Sequence, residues 1–134
     1  MFNKVMFSSA TDHWSTPKDV YDSLDREFKF DYDPCPLGAT GGLESTWGNR
    51  NFVNPPYSNI KEWVKKCYEV AQGGATVVLL IPSRTDTKWW HDYVMRAKEI
   101  RFIKGRLKFG GNKNSAPFPS CIVIFDATEE RKNL

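Results

Sequence analysis

The stretch ATVVLLI, residues 75–81, decides the fold of this chain. It is almost continuously apolar and rich in β-branched residues, which is typical of a strand buried on both faces of a parallel sheet. We therefore expect this strand to be central. Helical and strand-like patterns alternate on both sides of it, so the sequence predicts an α/β fold in a single domain over residues 1–134.

The segments around this strand supply the helices and the other strands. A helix over about 17–28 begins at the pair Thr16-Pro17, and its apolar residues recur every four positions. A second helix begins at Ser58 or Asn59 and ends at Gly73-Gly74. The remaining predicted elements are a helix over about 87–97 and strands at 30–32, directly before Asn54, at 100–103 and at 121–125.

The tetrapeptide Asn54-Pro55-Pro56-Tyr57 directly follows the apolar pair Phe52-Val53 and precedes the second helix. This position predicts a rigid polar loop at the carboxyl end of a strand, which is where open α/β sheets bind their ligands. The short strand at 30–32 delivers Asp33 and Cys35 to the same edge, so we expect the two strand ends to converge. A Pro-Pro pair is also a common surface spacer, and that interpretation competes with a functional one.

The chemistry of this loop suits methyl transfer to an amine that is conjugated with a ring or a carbonyl. The side-chain oxygen of Asn54 and a backbone carbonyl, that of Pro55, can accept the two N–H bonds of such an amine and make its lone pair available. The prolines hold these acceptors in place before the substrate binds. Tyr57 can stack on a base that has been flipped out of a duplex.

Six segments of the chain, in this order and spacing, resemble the phage-type DNA N-6-adenine methyltransferase (Dam) family. They are Trp14 to Pro17, Phe30 to Cys35, Asn54 to Ser58, Pro82 to Trp90, Gly105 to Phe109 and Pro117 to Ser120. The resemblance implies an abbreviated class I (Rossmann-like) methyltransferase fold, a mostly parallel sheet with flanking helices. It further implies S-adenosylmethionine as cofactor and adenine in DNA as substrate.

Residue by residue, the resemblance assigns Asn54, Pro55, Pro56 and Tyr57 to the catalytic loop. It assigns Asp33, Pro34 and Cys35 to the cofactor side, and it places Trp14, Thr16 and Pro17 in a segment near the cofactor. Thr16 and Pro17 are explained equally well as a helix cap.

Two departures from larger methyltransferases concern the cofactor region. Asp33-Pro34-Cys35-Pro36 stands where a glycine-rich loop is expected. The segment 36–56 is also too short for the usual helix and two further strands, so we expect an abbreviated sheet. The acidic residue that normally binds the cofactor ribose is therefore not evident, and Glu44 is only a weak candidate for it.

Composition narrows the class of protein without deciding the function. The 134 residues carry a net charge of +3, which permits nucleic-acid binding but does not require it. No apolar stretch approaches 18 residues and no leader pattern is visible, so we expect a cytoplasmic protein that does not bind membranes. Cys35, Cys67 and Cys121 lack metal-ligand spacing, so we expect buried free thiols and no metal site.

Four basic residues are candidates for contact with DNA. Arg84 follows the central strand, where it can meet a phosphate or simply be solvated at a helix start. Lys104, Arg106 and Lys108 alternate with apolar residues, which indicates either a basic ribbon for the DNA backbone or a plain amphipathic hairpin. Trp89 and Trp90 are more simply explained as core residues.

Three further hypotheses are consistent with the sequence. The same loop chemistry serves methylation of cytosine N4, RNA adenine or protein glutamine. The chain can instead be a small DNA-binding or accessory protein that keeps the fold but has lost catalysis. Because the chain is small for an enzyme that holds both cofactor and flipped DNA, a homodimer or a partner that recognises the target sequence is a third hypothesis.

Overall fold

Strand 76–82 lies inside a four-stranded sheet in the computed structural model of the protein, which describes residues 14–109 and 115–127. The elements, in chain order, are helix α1 (Lys18–Phe28), strand β1 (Arg50–Val53), helix α2 (Ile60–Gln72), strand β2 (Thr76–Pro82), helix α3 (Lys88–Asp92), strand β3 (Glu99–Phe102) and strand β4 (Ser120–Asp126). The predicted α/β class and the predicted central strand are both confirmed.

The strands are ordered β1-β2-β4-β3, and the sheet is mixed. β1 and β2 are parallel, whereas β4 runs antiparallel to both of its neighbours, β2 and β3. The predicted mostly parallel sheet is therefore not confirmed, because two of these three pairings are antiparallel. In the described part of the β3–β4 connection no helix carries the chain across the sheet, so β4 returns in the opposite direction. β1, β2 and β3 nevertheless all run the same way.

Both faces of the sheet are covered, and β2 alternates between two hydrophobic cores. One face packs against α1 through Leu24 and against the segment before β4 through Phe118. The other face packs against α2 and α3. Val77, Leu79 and Ile81 point to the second core, while Val78 and Leu80 point to the first. This explains why β2 is apolar at successive positions rather than at every second one.

The helix predictions are confirmed for α1 and α2 and only partly for the third helix. α3 ends at Asp92, and a 3₁₀ turn over Val94–Arg96 follows it, so the predicted single helix over 87–97 is wrong. Tyr93, with φ of −126°, leaves helical geometry and separates the two pieces. Trp90 is buried and Trp89 packs on the same core, as predicted for both.

The predicted strand at 30–32 is reduced to one parallel bridge between Tyr32 and Asn51. Pro34 ends this pairing because it has no N–H to donate. Asn51 is itself buried, and its side chain bonds the backbone of Gly48 and the carbonyl of Thr76. The bridge still delivers Asp33 to the edge of the sheet where β1 ends.

The loop after Asp33 packs closely on that segment at Gly42. A Cβ on Gly42 would lie 1.9 Å from the carbonyl oxygen of Pro34 and 2.7 Å from the Trp63 ring. The carbonyl of Gly42 also accepts a hydrogen bond of 2.8 Å from the Trp47 indole, which stacks on Trp63. Only glycine fits this close approach.

We predict that Gly42→Ala destabilises the protein, because backbone at Pro34 must shift to admit the methyl group. The expected loss of unfolding free energy is about 1–3 kcal/mol, measured by urea denaturation. Gly73→Ala is the control: its Cβ would be 3.3 Å from the Val70 carbonyl oxygen, so we expect a change below about 1 kcal/mol. Equal effects of the two substitutions would contradict the described packing.

Candidate active site

Three chain segments meet at the edge of the sheet where β1 and β2 end. Trp14 to Thr16, the turn that begins at Asp33, and Asn54 line one pocket with a volume of about 320 Å³. We call it the Asn54 pocket. Its wall consists of Trp14, Ser15, Thr16, Lys18, Tyr21, Asp33, Cys35, Pro36, Leu37, Phe52 and Asn54. The predicted convergence of the two strand ends is therefore confirmed.

Asn54 directly follows β1, and only 4% of its surface is exposed. Its Nδ2 donates one hydrogen bond of 2.5 Å to the carbonyl oxygen of Trp14 and another of 3.0 Å to Oγ1 of Thr16. These two bonds use both N–H groups of the carboxamide. The side-chain oxygen is therefore turned away from Trp14 and Thr16.

Cys35 connects the Asp33 turn to the loop that begins at Asn54. Its Sγ donates to the backbone carbonyl oxygen of Asn54 over 3.4 Å, and its own N–H donates to Oδ1 of Asp33 over 2.9 Å. Burial, reinforced by the nearby charge of Asp33, raises the pKa of the Cys35 thiol to about 12. The thiol therefore stays protonated near neutral pH and remains a hydrogen-bond donor. Cys67 and Cys121 are buried free thiols as well.

The rest of the tetrapeptide flanks the pocket instead of lining it. Pro55 is buried, and Pro56 leads into a 3₁₀ turn over Tyr57–Asn59 that precedes α2. The ring of Tyr57 packs edge-to-face on Phe118, with 5.2 Å between the ring centroids. Phe118 comes from the segment before β4, so this segment packs against the loop that carries Asn54 and Tyr57.

Two prolines that the sequence assigned to the cofactor side also lie beside the pocket and do not line it. Pro17 occupies the N-cap position of α1, where no side chain makes a capping hydrogen bond. The interpretation of Thr16 as the capping residue is therefore wrong, since its hydroxyl bonds Asn54 instead. Pro34 is buried beneath Gly42.

Four basic candidates are exposed and lie outside the pocket wall. Arg84 follows β2, and Lys104, Arg106 and Lys108 follow β3. β2 and β3 both end beside the start of β4, because Pro82 pairs with Ser120 and Phe102 with Cys121. All four basic residues therefore follow strands that end at the edge where Asn54 lies.

The basic segment after β3 is a loop, so the amphipathic hairpin, one of the two interpretations of this segment, is not built from strands in the described residues. Within 103–109 and 115–119 the chain forms no strand, and backbone hydrogen bonds from Ala116 to the Leu107 carbonyl and from Ile103 to the Ser120 carbonyl join its two sides. Leu107 and Phe109 pack into the core against α1. Arg106 and Lys108, which alternate with them, are exposed, and this preserves the amphipathic character that the sequence indicates.

Several residues of the pocket wall were not predicted from the sequence. Leu37 is the clearest, since its side chain is 61% exposed at the mouth of the pocket. It lies in a tight turn whose next residue, Gly38, has φ of +84°, a conformation that favours glycine. The Pro-Leu-Gly sequence signals this turn. Glu44, the weak candidate for the ribose, is exposed and not part of the pocket wall.

Across 14–109 and 115–127, no three His, Cys, Asp or Glu side chains cluster in a way that could hold a metal ion. Over the same ranges, no helix has both the length and the apolarity required to cross a membrane.

These features define an α/β protein with a pocket at the carboxyl ends of its parallel strands, beside an Asn-Pro-Pro-Tyr loop. The family model described as DNA N-6-adenine-methyltransferase (Dam) matches residues 4–133. The chain therefore belongs to the DNA N-6-adenine-methyltransferase (Dam) family, as its resemblance predicted.

Two phage proteins support this assignment. The chain is 30% identical to the DNA N-6-adenine-methyltransferase of Haemophilus phage HP1 (strain HP1c1) over 139 aligned positions, covering 88% of this chain and 80% of that protein. It is also 30% identical to the DNA N-6-adenine-methyltransferase of Escherichia phage T1 over 113 positions, covering 74% of this chain and 48% of that protein. The chain thus spans about half the length of the T1 protein.

We predict that Cys35 is unreactive in the folded protein. With its pKa raised from 9.0 to about 12, its thiolate fraction at pH 8 is about a thousandfold smaller than in the unfolded chain. Iodoacetamide labelling at pH 8, read by mass spectrometry, should therefore modify Cys35 only in urea, where all three cysteines react. Rapid labelling of Cys35 in the folded protein would contradict the described environment.

Proposed function

We propose that this chain transfers a methyl group from S-adenosylmethionine to the N6 amine of adenine in DNA. Membership of the Dam family supports the reaction and its substrate. The observation that carries the proposal is the fixed carboxamide of Asn54 in the wall of a ligand pocket. A class I, Rossmann-like fold belongs to the same proposal, and the common direction of β1, β2 and β3 supports it.

The Asn54 pocket fits the chemistry of S-adenosylmethionine, which supplies an electrophilic methyl group on a sulfonium when it is bound. The wall combines aromatic and aliphatic side chains, including Trp14 and Leu37, with the carboxylate of Asp33. Apolar surfaces suit the adenine ring of the cofactor, and a carboxylate suits its positive charge. We assign Asp33, Pro34 and Cys35, together with Trp14, Thr16 and Pro17, to cofactor binding. Pro17 and Pro34 do not line the pocket, so they act by restricting the backbone next to the residues that do.

Asn54 and Pro55 provide the acceptors for the reacting amine in this proposal. The side-chain oxygen of Asn54 and the carbonyl oxygen of Pro55 accept the two N–H bonds of adenine N6, which leaves its lone pair available for the methyl group. The bonds to Trp14 and Thr16 hold the carboxamide in place before DNA binds. Pro56, with φ of −65°, fixes the loop, and Tyr57 offers a ring for stacking on the target base.

The DNA backbone contacts the edge that carries Arg84, Lys104, Arg106 and Lys108 in this proposal. All four side chains are exposed, and they follow strands that end where the pocket opens. A row of cations beside a base-binding pocket suits a substrate that carries one phosphate per nucleotide.

The reaction is tested by incubating the protein with labelled S-adenosylmethionine and mixed DNA and identifying the modified nucleosides by mass spectrometry. We predict N6-methyladenine, and a loss of kcat of roughly 100-fold or more in Asn54→Ala. Asn59→Ala is the matched control because Asn59 makes no side-chain capping bond at α2, so its kcat should be unchanged.

Other outcomes assign the chain to another class. Methylated cytosine would keep the role of the loop and change the substrate. DNA binding without any methylated product, together with no cofactor binding by calorimetry, would favour the accessory-protein hypothesis and reject an enzyme. Full activity of Asn54→Ala would remove Asn54 from the catalytic machinery.

We predict that neutralising Lys104 and Lys108 weakens DNA binding at low salt for all sequences. In the double variant Lys104→Gln, Lys108→Gln, the negative slope of log K against log salt concentration should become shallower by about 2. Fluorescence anisotropy measures this slope. The control is Arg26→Gln with Lys29→Gln, which removes the same charge at the opposite edge of the sheet, where the carbonyl of Lys29 bonds Arg50 at the start of β1. Equal slopes for the two double variants would contradict the proposed DNA edge.

A further inference from the structure

The carboxamide of Asn54 is oriented by a segment that lies about forty residues before it in the chain. Both of its N–H groups donate to this segment, one to the Trp14 carbonyl oxygen and one to Thr16 Oγ1. The proposed reaction needs the oxygen of this carboxamide to face the adenine amine. A carboxamide rotated by half a turn would present donors to a group that itself donates, and the amine would not bind.

The hydroxyl of Thr16 and the carbonyl of Trp14 impose different requirements on the side chain at position 54. The hydroxyl of Thr16 can either donate or accept a hydrogen bond, so it tolerates an amide or a carboxylate. The carbonyl oxygen of Trp14 only accepts, so it requires a donor 2.5 Å away. A carboxylate at position 54 would place two oxygens against each other at this point.

The geometry of Trp14 and Thr16 is itself fixed by their surroundings. The Trp14 ring contacts Phe109 and Phe118, with centroid distances of 5.5 Å and 6.4 Å. Pro17 takes the N-cap position of α1, so the hydroxyl of Thr16 is not required for capping and serves Asn54. The segment is therefore held both by an aromatic cluster and by the start of a helix.

We propose that the Trp14 carbonyl and the Thr16 hydroxyl are positioning groups that select an amide at position 54 and turn its oxygen toward the substrate amine. This inference rests on the proposed methyl transfer for its kinetic consequences. Its structural content, an immobilised carboxamide with a defined orientation, is independent of the reaction and can be measured without it.

The structural content is tested by NMR on the side-chain amide protons. In the wild-type protein those of Asn54, assigned by their absence in Asn54→Asp, should exchange with water at least about 10-fold more slowly than those of the partly exposed Asn59. Thr16→Val, which keeps the shape and removes the hydroxyl, should accelerate exchange at Asn54. Equal rates at Asn54 and Asn59 in the wild type would overturn the inference even if the protein methylates DNA.

The kinetic content is tested with three threonine variants. Thr16→Val should lower kcat about 10-fold or more with little change in KM for DNA, whereas Thr16→Ser, which keeps the hydroxyl, should recover most of the loss. Thr46→Val, at an exposed threonine elsewhere, should leave kcat unchanged. If Thr16→Val binds cofactor normally by calorimetry and keeps full kcat, the positioning role is wrong, while the proposed function stands.

The pH dependence of Asn54→Asp tests the Trp14 carbonyl separately. Only the protonated carboxyl can donate to that carbonyl, so the ratio of N54D to wild-type kcat should fall as pH rises, approaching 10-fold per pH unit above the pKa of the new carboxyl. Because position 54 is buried, we expect desolvation to raise the pKa of this new carboxyl. The other titratable groups that line the pocket, Lys18, Tyr21, Asp33 and Cys35, are common to both proteins and cancel in the ratio.

Two results with N54D would overturn the inference. A ratio near one at every pH would mean that the position accepts a carboxylate as readily as an amide. A ratio that rises with pH would mean that the charged form is the active one. If the wild-type protein shows no methyl transfer to any substrate, the proposed function fails, and the exchange rates at Asn54 still decide the positioning role.

Discussion

Asn54 must be buried and hydrogen-bonded at the same time, and the other parts of the site are arranged around that constraint. A buried carboxamide without partners destabilises a protein by about 1–3 kcal/mol. The fold meets this requirement for the two N–H groups with the Trp14 carbonyl and the Thr16 hydroxyl, while the backbone carbonyl of Asn54 accepts from Cys35. Three segments that are distant in sequence are thereby joined at one residue, and they form the pocket.

The direction of the strands is what makes this junction possible. β1 and the bridge at Tyr32 run in parallel, so Asn54 and Asp33 leave the sheet at the same edge. Asn51, three residues before Asn54, is a structural asparagine and provides a contrast with Asn54. Its side chain bonds backbone groups of Gly48 and Thr76, and it does not line the Asn54 pocket. Both asparagines are buried, but Asn51 lies within β1 and Asn54 lies directly after its end, beside the pocket.

Sequence reasoning predicted the features that depend on local patterns, and it failed where distant contacts decide. The apolar run of β2 and the spacing of α1 and α2 are local, as is the loop at Asn54, and all lie where expected. The direction of β4 depends on a connection without a crossover helix, which periodicity does not reveal. The sequence Thr16-Pro17 is typical of a helix start, which favours Thr16 as the cap. Only the folded structure brings its hydroxyl to Asn54. The turn at Leu37 is visible in the sequence, but its orientation, which places Leu37 in the pocket wall, depends on tertiary contacts.

The central claim is that the cofactor and the catalytic carboxamide share one pocket, with the carboxamide already oriented. A crystal structure with S-adenosylhomocysteine tests this most directly. We predict that the ligand lies between Trp14, Asp33 and Asn54, and that Asn54 keeps its two bonds to Trp14 and Thr16. A ligand bound elsewhere on the chain, or an Asn54 carboxamide detached from Trp14 in the complex, would contradict the account.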